Sequence, residues 1–304
     1  MLSPAPSLSS VFMLRSSSFA GQSPAPSYRS ITVPQALGSQ LWSAEVQATT
    51  AIERRYQDEL RLRQKLSLCE ILWSDEHLET LAVLQELGDV LLDQGRYRSA
   101  EETFRKLAAG CRAVYSDNHS KTFDALNGLG RVFKRQGLYD KAEKLHLNNL
   151  EARKRVLGAE HPSTLGSMGN PASTYRNQGR WKEAEELFVQ VMEIRKRVLG
   201  AEHPSMLTSM ANLASTYNNQ GRWKEAEELQ TTELEICSRV LGAEHPDTLT
   251  GMNNLAHTWK SQDKKAEALA LMDECVKIRS RVLGIGHPDT HSSLVSLNSW
   301  KTSG

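Results

Sequence analysis

Four decapeptides, VLGAEHPSTL at Val156, VLGAEHPSML at Val198, VLGAEHPDTL at Val240 and VLGIGHPDTH at Val282, each start 42 residues after the last. The same step taken backwards reaches VYSDNHSKTF at Val114 and LWSDEHLETL at Leu72. A chain that copies itself at this period folds as a row of small units, each burying its apolar face on its neighbours. The period gives units 72–113, 114–155, 156–197, 198–239 and 240–281, and a partial sixth over 282–304 that suits a polar C-terminal cap.

Each unit reads as two helices. Pro162, Pro204, Pro246 and Pro288 suit a first helical position, where their missing N–H would be unbonded anyway. Gly95, Gly137, Gly179 and Gly221 mark the tight turn to a second helix. That helix runs from RWKEAEEL to EIRKRVLG, acids early and bases late, as the helix dipole favours. Ala172, Ala184, Ala214 and Ala226 recur with Tyr175, Tyr217, Leu187 and Leu229, the small-against-large pattern of antiparallel helices in close contact.

The ordered set Leu213, Ala214, Tyr217, Gly221 and Ala226 resembles the tetratricopeptide signature. The 42-residue period with LGxxHPxT between units resembles the kinesin light chain type of that repeat. The final stretch, LAHTWKSQDKKAEALALMDECVKIRSRVLGIGHPDT, is similar to the C-terminal arrays of large fungal nucleotide-binding sensor proteins. The resemblance covers residues 72 to 300 and implies an all-α, right-handed superhelical solenoid of antiparallel helix pairs. Two departures stand beside it: residues 45–71 have room for little more than one helix where a kinesin light chain has a long coiled coil, and the G-x-x-x-x-G-K-[ST] phosphate loop of a sensor protein is missing from this sequence.

The first 44 residues differ in kind. They carry no Asp or Glu, are rich in Ser and Pro, and contain SPAPS twice, which predicts a disordered tail. Arg15 and Arg29 in an acid-free segment also resemble a mitochondrial transit peptide, although the prolines interrupt an amphipathic helix. Residues 45–71 are expected to be a helical lead-in or degenerate repeat. A net charge of +1 gives no support to a nucleic-acid or membrane surface. Four scattered cysteines form no disulfide or zinc pattern; Cys69, Cys111 and Cys237 share one register and read as small apolar helix residues in a reducing, cytoplasmic compartment.

Catalytic templates find no foothold. The sequence has no H-E-x-x-H, G-x-S-x-G or glycine-rich phosphate loop, so no enzyme, cofactor or small-molecule substrate is expected. His77, His119, His161, His203, His245 and His287 recur once per unit. Stacked helices hold equivalent residues roughly 8–10 Å apart, too far to share an ion bound at about 2.0–2.3 Å, and a corner residue bonding the helix start is expected instead.

What remains is the inner face of the first helices, where the resemblance implies binding of an extended protein or peptide segment. The matching residues are Asn170, Asn212 and Asn254, with neighbours Asn127 and Asn253; an amide offers donor and acceptor to a peptide backbone. One and two turns on lie Arg131, Lys134, Arg135, Arg176, Asn177, Asn218, Asn219 and Lys260, a basic set that favours acidic side chains or a free carboxylate. Two rival readings are a detached sensing arm of a nucleotide-binding regulator and a self-associating structural spacer. Gln230 and Glu233 replace the Phe188 and Val191 of the preceding unit, and Asp263 and Lys265 replace a Gly and a Trp, so this end is expected to be wet or loose. Gly169 and Pro171 interrupt the helix that repeats as SMANLASTYNNQGR. The first helix of the 156–197 unit is therefore expected to kink or split, with Asn170 capping a new helix at Pro171.

Overall fold

A histidine side chain starts the first helix of every unit. In the computed structural model, Nδ1 of His77, His119, His161, His203, His245 and His287 accepts from the backbone N–H two residues on, at 3.1–3.3 Å. This bond satisfies one of the orphan donors of a helix start. Behind the cap, Thr80, Thr122 and Thr248 donate their hydroxyls to corner carbonyls at 2.7–2.8 Å. The register of the whole array is thus fixed by a corner that recurs at each 42-residue step.

The structure describes the backbone of residues 35–302, with side chains at 53 and from 55 onward. Among these residues there are twelve helices and no strand: α1 Gln35–Leu72, α2 Leu78–Asp93, α3 Tyr97–Tyr115, α4 Ser120–Arg135, α5 Tyr139–Leu157, α6 Pro162–Asn177, α7 Trp181–Leu199, α8 Pro204–Asn219, α9 Trp223–Val240, α10 Pro246–Ser261, α11 Lys265–Val282 and α12 Pro288–Thr302. Consecutive helices pack against one another from α2 to α12, which makes an all-α solenoid of five hairpins followed by one first helix. Each hairpin spans the corner-to-corner interval, so the units cut from the sequence divide every second helix just before its end. Of the tail expected over 1–44, residues 1–34 lie outside the described residues, and 35–44 are helical.

The lead-in differs from expectation. The helix expected over 45–71 begins at Gln35, and its later part stands in the register of a second helix. Gln94 donates to the Arg55 carbonyl (2.9 Å) as Gln262 does to that of Trp223 (2.8 Å), and Arg96 pairs with Glu59. At the turn register α1 simply continues, so it is not the second half of a hairpin, and the first helix it meets is the one that follows it, α2. Its residues answer to that: Asp58 and Lys65 are exposed where Ala100, Ala142, Ala184, Ala226 and Ala268, or Leu107 and Val191, are buried. At the far end of the array His291 and Asn298 stand exposed in the registers of Leu249 and Ala256.

Turns close each hairpin at positive φ, at Gly95, Gly137, Gly179 and Gly221 and, in the last hairpin, at Asp263 (φ 63°). Asp tolerates this region better than most residues, so the turn survives loss of its glycine. A charged ladder then stitches units together. Arg180 reaches Glu143 (2.7 Å) and Glu183 (2.9 Å) across the Tyr175 ring. Arg222 repeats this with Glu185, Glu225 and Tyr217, and Lys264 with Glu227. Burial opposes ionisation of Glu143 and Glu185, but bonds from the turn Gln and Arg outweigh it and hold both below the usual carboxylate range.

Two sequence expectations are corrected. Helix α6 is neither split nor shortened: it runs unbroken over the same 16 residues as α4, α8 and α10, with Pro171 buried inside it. Asn170 is therefore a mid-helix residue and not a cap. Leu165, Met168 and Ala172 are buried against the neighbouring helices, and this packing on both sides holds the turn in place although Ser167 lacks the N–H that Pro171 cannot give. The 198–281 end is also built more tightly than expected. Gln230 is buried and accepts from Thr258 Oγ1 at 2.6 Å. Glu233 is buried with Oε2 unpartnered, and burial, with the nearby Asp247 charge, pushes its carboxyl up to about 7.

Three measurements check these assignments. His203→Ala should cost about 1 kcal/mol and His203→Asn a few tenths, read by denaturant unfolding. Pro171→Leu should raise stability by about 2–3 kcal/mol and slow hydrogen exchange over 163–178 to the rate of 205–220; equal rates in the parent would remove the weak helix. Because Glu233 holds its proton more tightly when folded, its contribution is complete below the unfolded carboxylate value of 4.5 and is lost as pH rises through about 7. The melting temperature of the parent should therefore fall relative to Glu233→Gln between pH 5 and 8, and parallel curves would contradict the assignment.

Candidate functional site on the inner face

First helices of neighbouring units touch directly, α2 with α4, α4 with α6 and α6 with α8. This row lies on the inside of the stack, where the radius is smaller. The residues expected to bind there fall on it, but they do not form one free row, because partners one unit away take up many of them.

Asn170 donates to Asn127 at 2.7 Å, Asn218 to Thr258 Oγ1 at 2.8 Å, and Asn253 accepts from Ser293 Oγ at 2.8 Å. Arg131 is paired with Asp89 of α2 at 2.8 Å. Lys260 lies over the Trp300 ring at 5.9 Å. Asn212 turns its amide to the Thr208 carbonyl of its own helix (2.9 Å), leaving Oδ1 as an acceptor. Asn254 is half-buried, while Arg135, Asn177 and Asn219 are exposed.

The structure brings four cations together on α4 and α6. Burial, and then the charges of Arg135, Arg176 and Arg131, pull the Lys134 ammonium down to about 8. Its bond is to Ser173 Oγ, at 2.7 Å. Arg176 is lowered by burial as well, reaches the Asn212 carbonyl at 3.5 Å and sits 5.9 Å from the Phe188 ring. Of the four, Arg131 alone has a carboxylate partner among the described residues. Like charges crowded at low dielectric are costly unless an anion joins them, so this part of the face is electrostatically incomplete.

Beside it, between α2 and α4, opens a cavity of about 550 Å³ with Leu78, Leu81, Ala82 and Leu107 on its walls and Glu86, Asp124 and Arg131 among its polar lining. Gly128 is on its wall, in the register of Asn170, Asn212 and Asn254, and a Cβ there would lie 2.2 Å from the Phe104 ring. Sequence reasoning missed this recess and the Ser173 and Asp89 partners. The break at Gly128 in a column of asparagines was the available signal.

The sequence profile of the tetratricopeptide repeat matches residues 79–145, 167–229 and 206–281. Among solved structures, the chain is similar to nearly identical TPR-like repeats of a Podosopora anserina protein described as a kinesin light chain, with 28% identity, 66% of this chain and 95% of that one covered, and a TM-score of 0.56. It shares its fold with the quorum sensor NprR in complex with its cognate peptide NprX (12% identity, 86% and 73% covered, TM-score 0.58). It shares it also with a signal-transduction ATPase of Pyrococcus horikoshii that has a tetratricopeptide repeat sensor (13%, 78% and 35%, TM-score 0.57). No curated protein matches the chain. With its hairpins, its corner register and a profile match over more than half its length, the chain belongs to the tetratricopeptide repeat family.

Proposed function

We propose that the protein is a non-catalytic scaffold of the cytoplasm that holds an extended segment of a partner protein along the inner face of its first helices, gripping an acidic side chain or terminal carboxylate at Lys134 and Arg176. The observation that carries this reading is the convergence of Arg131, Lys134, Arg135 and Arg176 on one face with, among the described residues, a carboxylate for Arg131 alone. A bound carboxylate would complete the set, and charge-assisted bonds to a half-buried cation are strong. Asn212 Oδ1 and the Asn254 amide lie further along the same row and suit peptide N–H and C=O groups. That this fold can hold a peptide is supported by the NprR complex.

The test is capture of partners from a lysate of the source by the full chain, followed by titration of the recovered segment as a labelled peptide. Lys134→Ala with Arg176→Ala should weaken the peptide at least about tenfold, because truncating one side of a buried charged contact costs about 2–5 kcal/mol. Asn212→Ala with Asn254→Ala should weaken it as well. Raising salt from about 50 to 300 mM should weaken the parent more than the Lys134/Arg176 variant. A partner whose affinity is unchanged in both variants would place binding elsewhere.

A further inference from the structure

On the outer face, made by the second helices, α5 reverses the charge of its own repeat. Arg180 and Arg222 at the later turns clamp Glu183 and Glu225, three residues on, at 2.9 Å. On α5 both members of that pair are changed, to Leu138 and Lys141. One turn further, Lys144 takes the register held by Glu102, Glu186 and Glu228. No other second helix has a cation at either register. Asp140, four residues before Lys144, accepts instead from Gln178 (3.4 Å), and the neighbouring Glu101 and Glu143 pair with Arg105 and Arg180. Both lysines are thus left without a carboxylate partner among the described residues.

They face α3 across a trough of about 450 Å³. Helix α4 packs on α3 and α5 alike, and its Leu126, Leu129 and Phe133 make an apolar floor between them. Arg105 and Arg112 stand on the α3 wall and Lys141 and Lys144 on the α5 wall, so the lining holds four cations and no carboxylate. Arg105 and Lys141 bracket the Phe133 ring from opposite walls, 5.6 and 5.8 Å from its centre. The two arginines are balanced by Glu101 and Asp117, each at 2.8 Å; the lysine wall is not balanced. In the next two gaps the rim registers hold Leu147, Lys154, Glu183 and Glu186, then Val189, Lys196, Glu225 and Glu228. A buried apolar floor recurs there, with Pro171 and Leu213 in the register of Leu129, but the basic rim belongs to the α3/α5 gap.

Charge selects the occupant. Residues 1–44 of this chain contain no Asp or Glu and offer no counter-charge. A second copy offers none in excess: on α7 and α9, Lys182 and Lys224 stand four residues before Glu186 and Glu228, so the charges offset one another within each helix. A strand turns alternate side chains to the floor and to solvent, whereas a helix sends side chains to the floor and to both walls at once. The floor stripe from Leu126 to Phe133 spans two helical turns, about 10.5 Å. We propose that the trough between α3 and α5 is a second docking site, for an acidic amphipathic helix of a partner protein. Its apolar side chains lie on the floor, and Glu or Asp on its two flanks reach Lys141 and Lys144 on one wall and Arg105 and Arg112 on the other. The trough is separate from the inner face, so this site does not depend on the segment held there.

Selection on the full chain tests it, from a displayed library of helix-forming peptides of about 18 residues. Their i, i+3, i+4 and i+7 positions are Leu, Ile, Phe or Met, and the flanking positions draw on Glu, Gln and Lys. Enriched peptides are titrated by fluorescence anisotropy against the parent, Lys141→Glu/Lys144→Glu and Lys134→Ala/Arg176→Ala. The first variant carries what the repeat itself holds at Glu183 and Glu186, so it is expected to fold with the helicity of the parent. The expected result is enrichment of Glu on both flanks, affinity at least about tenfold weaker in the Lys141/Lys144 variant, and affinity unchanged in the Lys134/Arg176 variant. Selection without enrichment of Glu, or enriched peptides that bind the Lys141/Lys144 variant as tightly as the parent, overturns the proposal. So does loss of every enriched peptide in the Lys134/Arg176 variant alone, which places the acidic helix on the inner face. Self-association of the parent that Lys141→Glu/Lys144→Glu abolishes overturns it as well, because the occupant is then a second copy.

Discussion

Everything in this structure depends on how closely the two helices of a hairpin can approach, and that distance is set by small residues in fixed registers. Ala100, Ala142, Ala184, Ala226 and Ala268 are fully buried on the second helices, and Ala172, Ala214 and Ala256 on the first. In two units the facing position is glycine: a Cβ on Gly88 would stand 2.9 Å from the Phe104 ring, and one on Gly130 2.3 Å from that of His146. A glycine there compensates for a ring that stands too close for any side chain opposite. Because each unit touches only its neighbours, the compensation is local. The array absorbs an unusual residue by adjusting one facing position and leaves the superhelix unaltered.

That locality explains which irregularities are tolerated and at what cost. The register of Phe104 and Phe188 holds His146 and Gln230, both buried. His146 sits neutral, burial above all and then the Lys134 charge pulling its imidazole down to about 4; Gln230 finds the Thr258 hydroxyl. Glu233 has no such partner for its second oxygen and keeps its proton to near neutrality instead. A buried carboxyl meets its environment either by bonding or by discharging. Pro171 belongs to the same class: the hydrogen bond it omits is lost, but the contacts on both sides of α6 are not, and continuity of the helix follows from the contacts.

The fold was legible because its signals repeat. Histidine caps, proline starts and turn glycines occur at a fixed period, so one unit interprets the next. Two things were not legible. The beginning of α1 was hidden because residues 35–44 carry no Asp or Glu and so read as part of the acid-free tail. The Pro171 break was over-read, since a propensity argument considers the helix alone and not the two neighbours that clamp it.

The inner face was legible in composition and not in detail, for a reason built into solenoids. Whether an asparagine on a first helix is free depends on what stands on the next first helix, about 40 residues away in sequence. Asn127 and Asn170 occupy neighbouring registers of adjacent units and bond each other, as Asn218 and Thr258 do, so a column of polar side chains partly cancels itself. Two cations cannot cancel each other in this way. Lys134 and Arg176 stand in one register of successive units; each finds a neutral acceptor, Ser173 and the Asn212 carbonyl, but among the described residues neither has the carboxylate that Asp89 gives Arg131. Amide columns therefore become part of the stitching between units, whereas a basic column keeps its demand for an anion and presents it to whatever enters the groove.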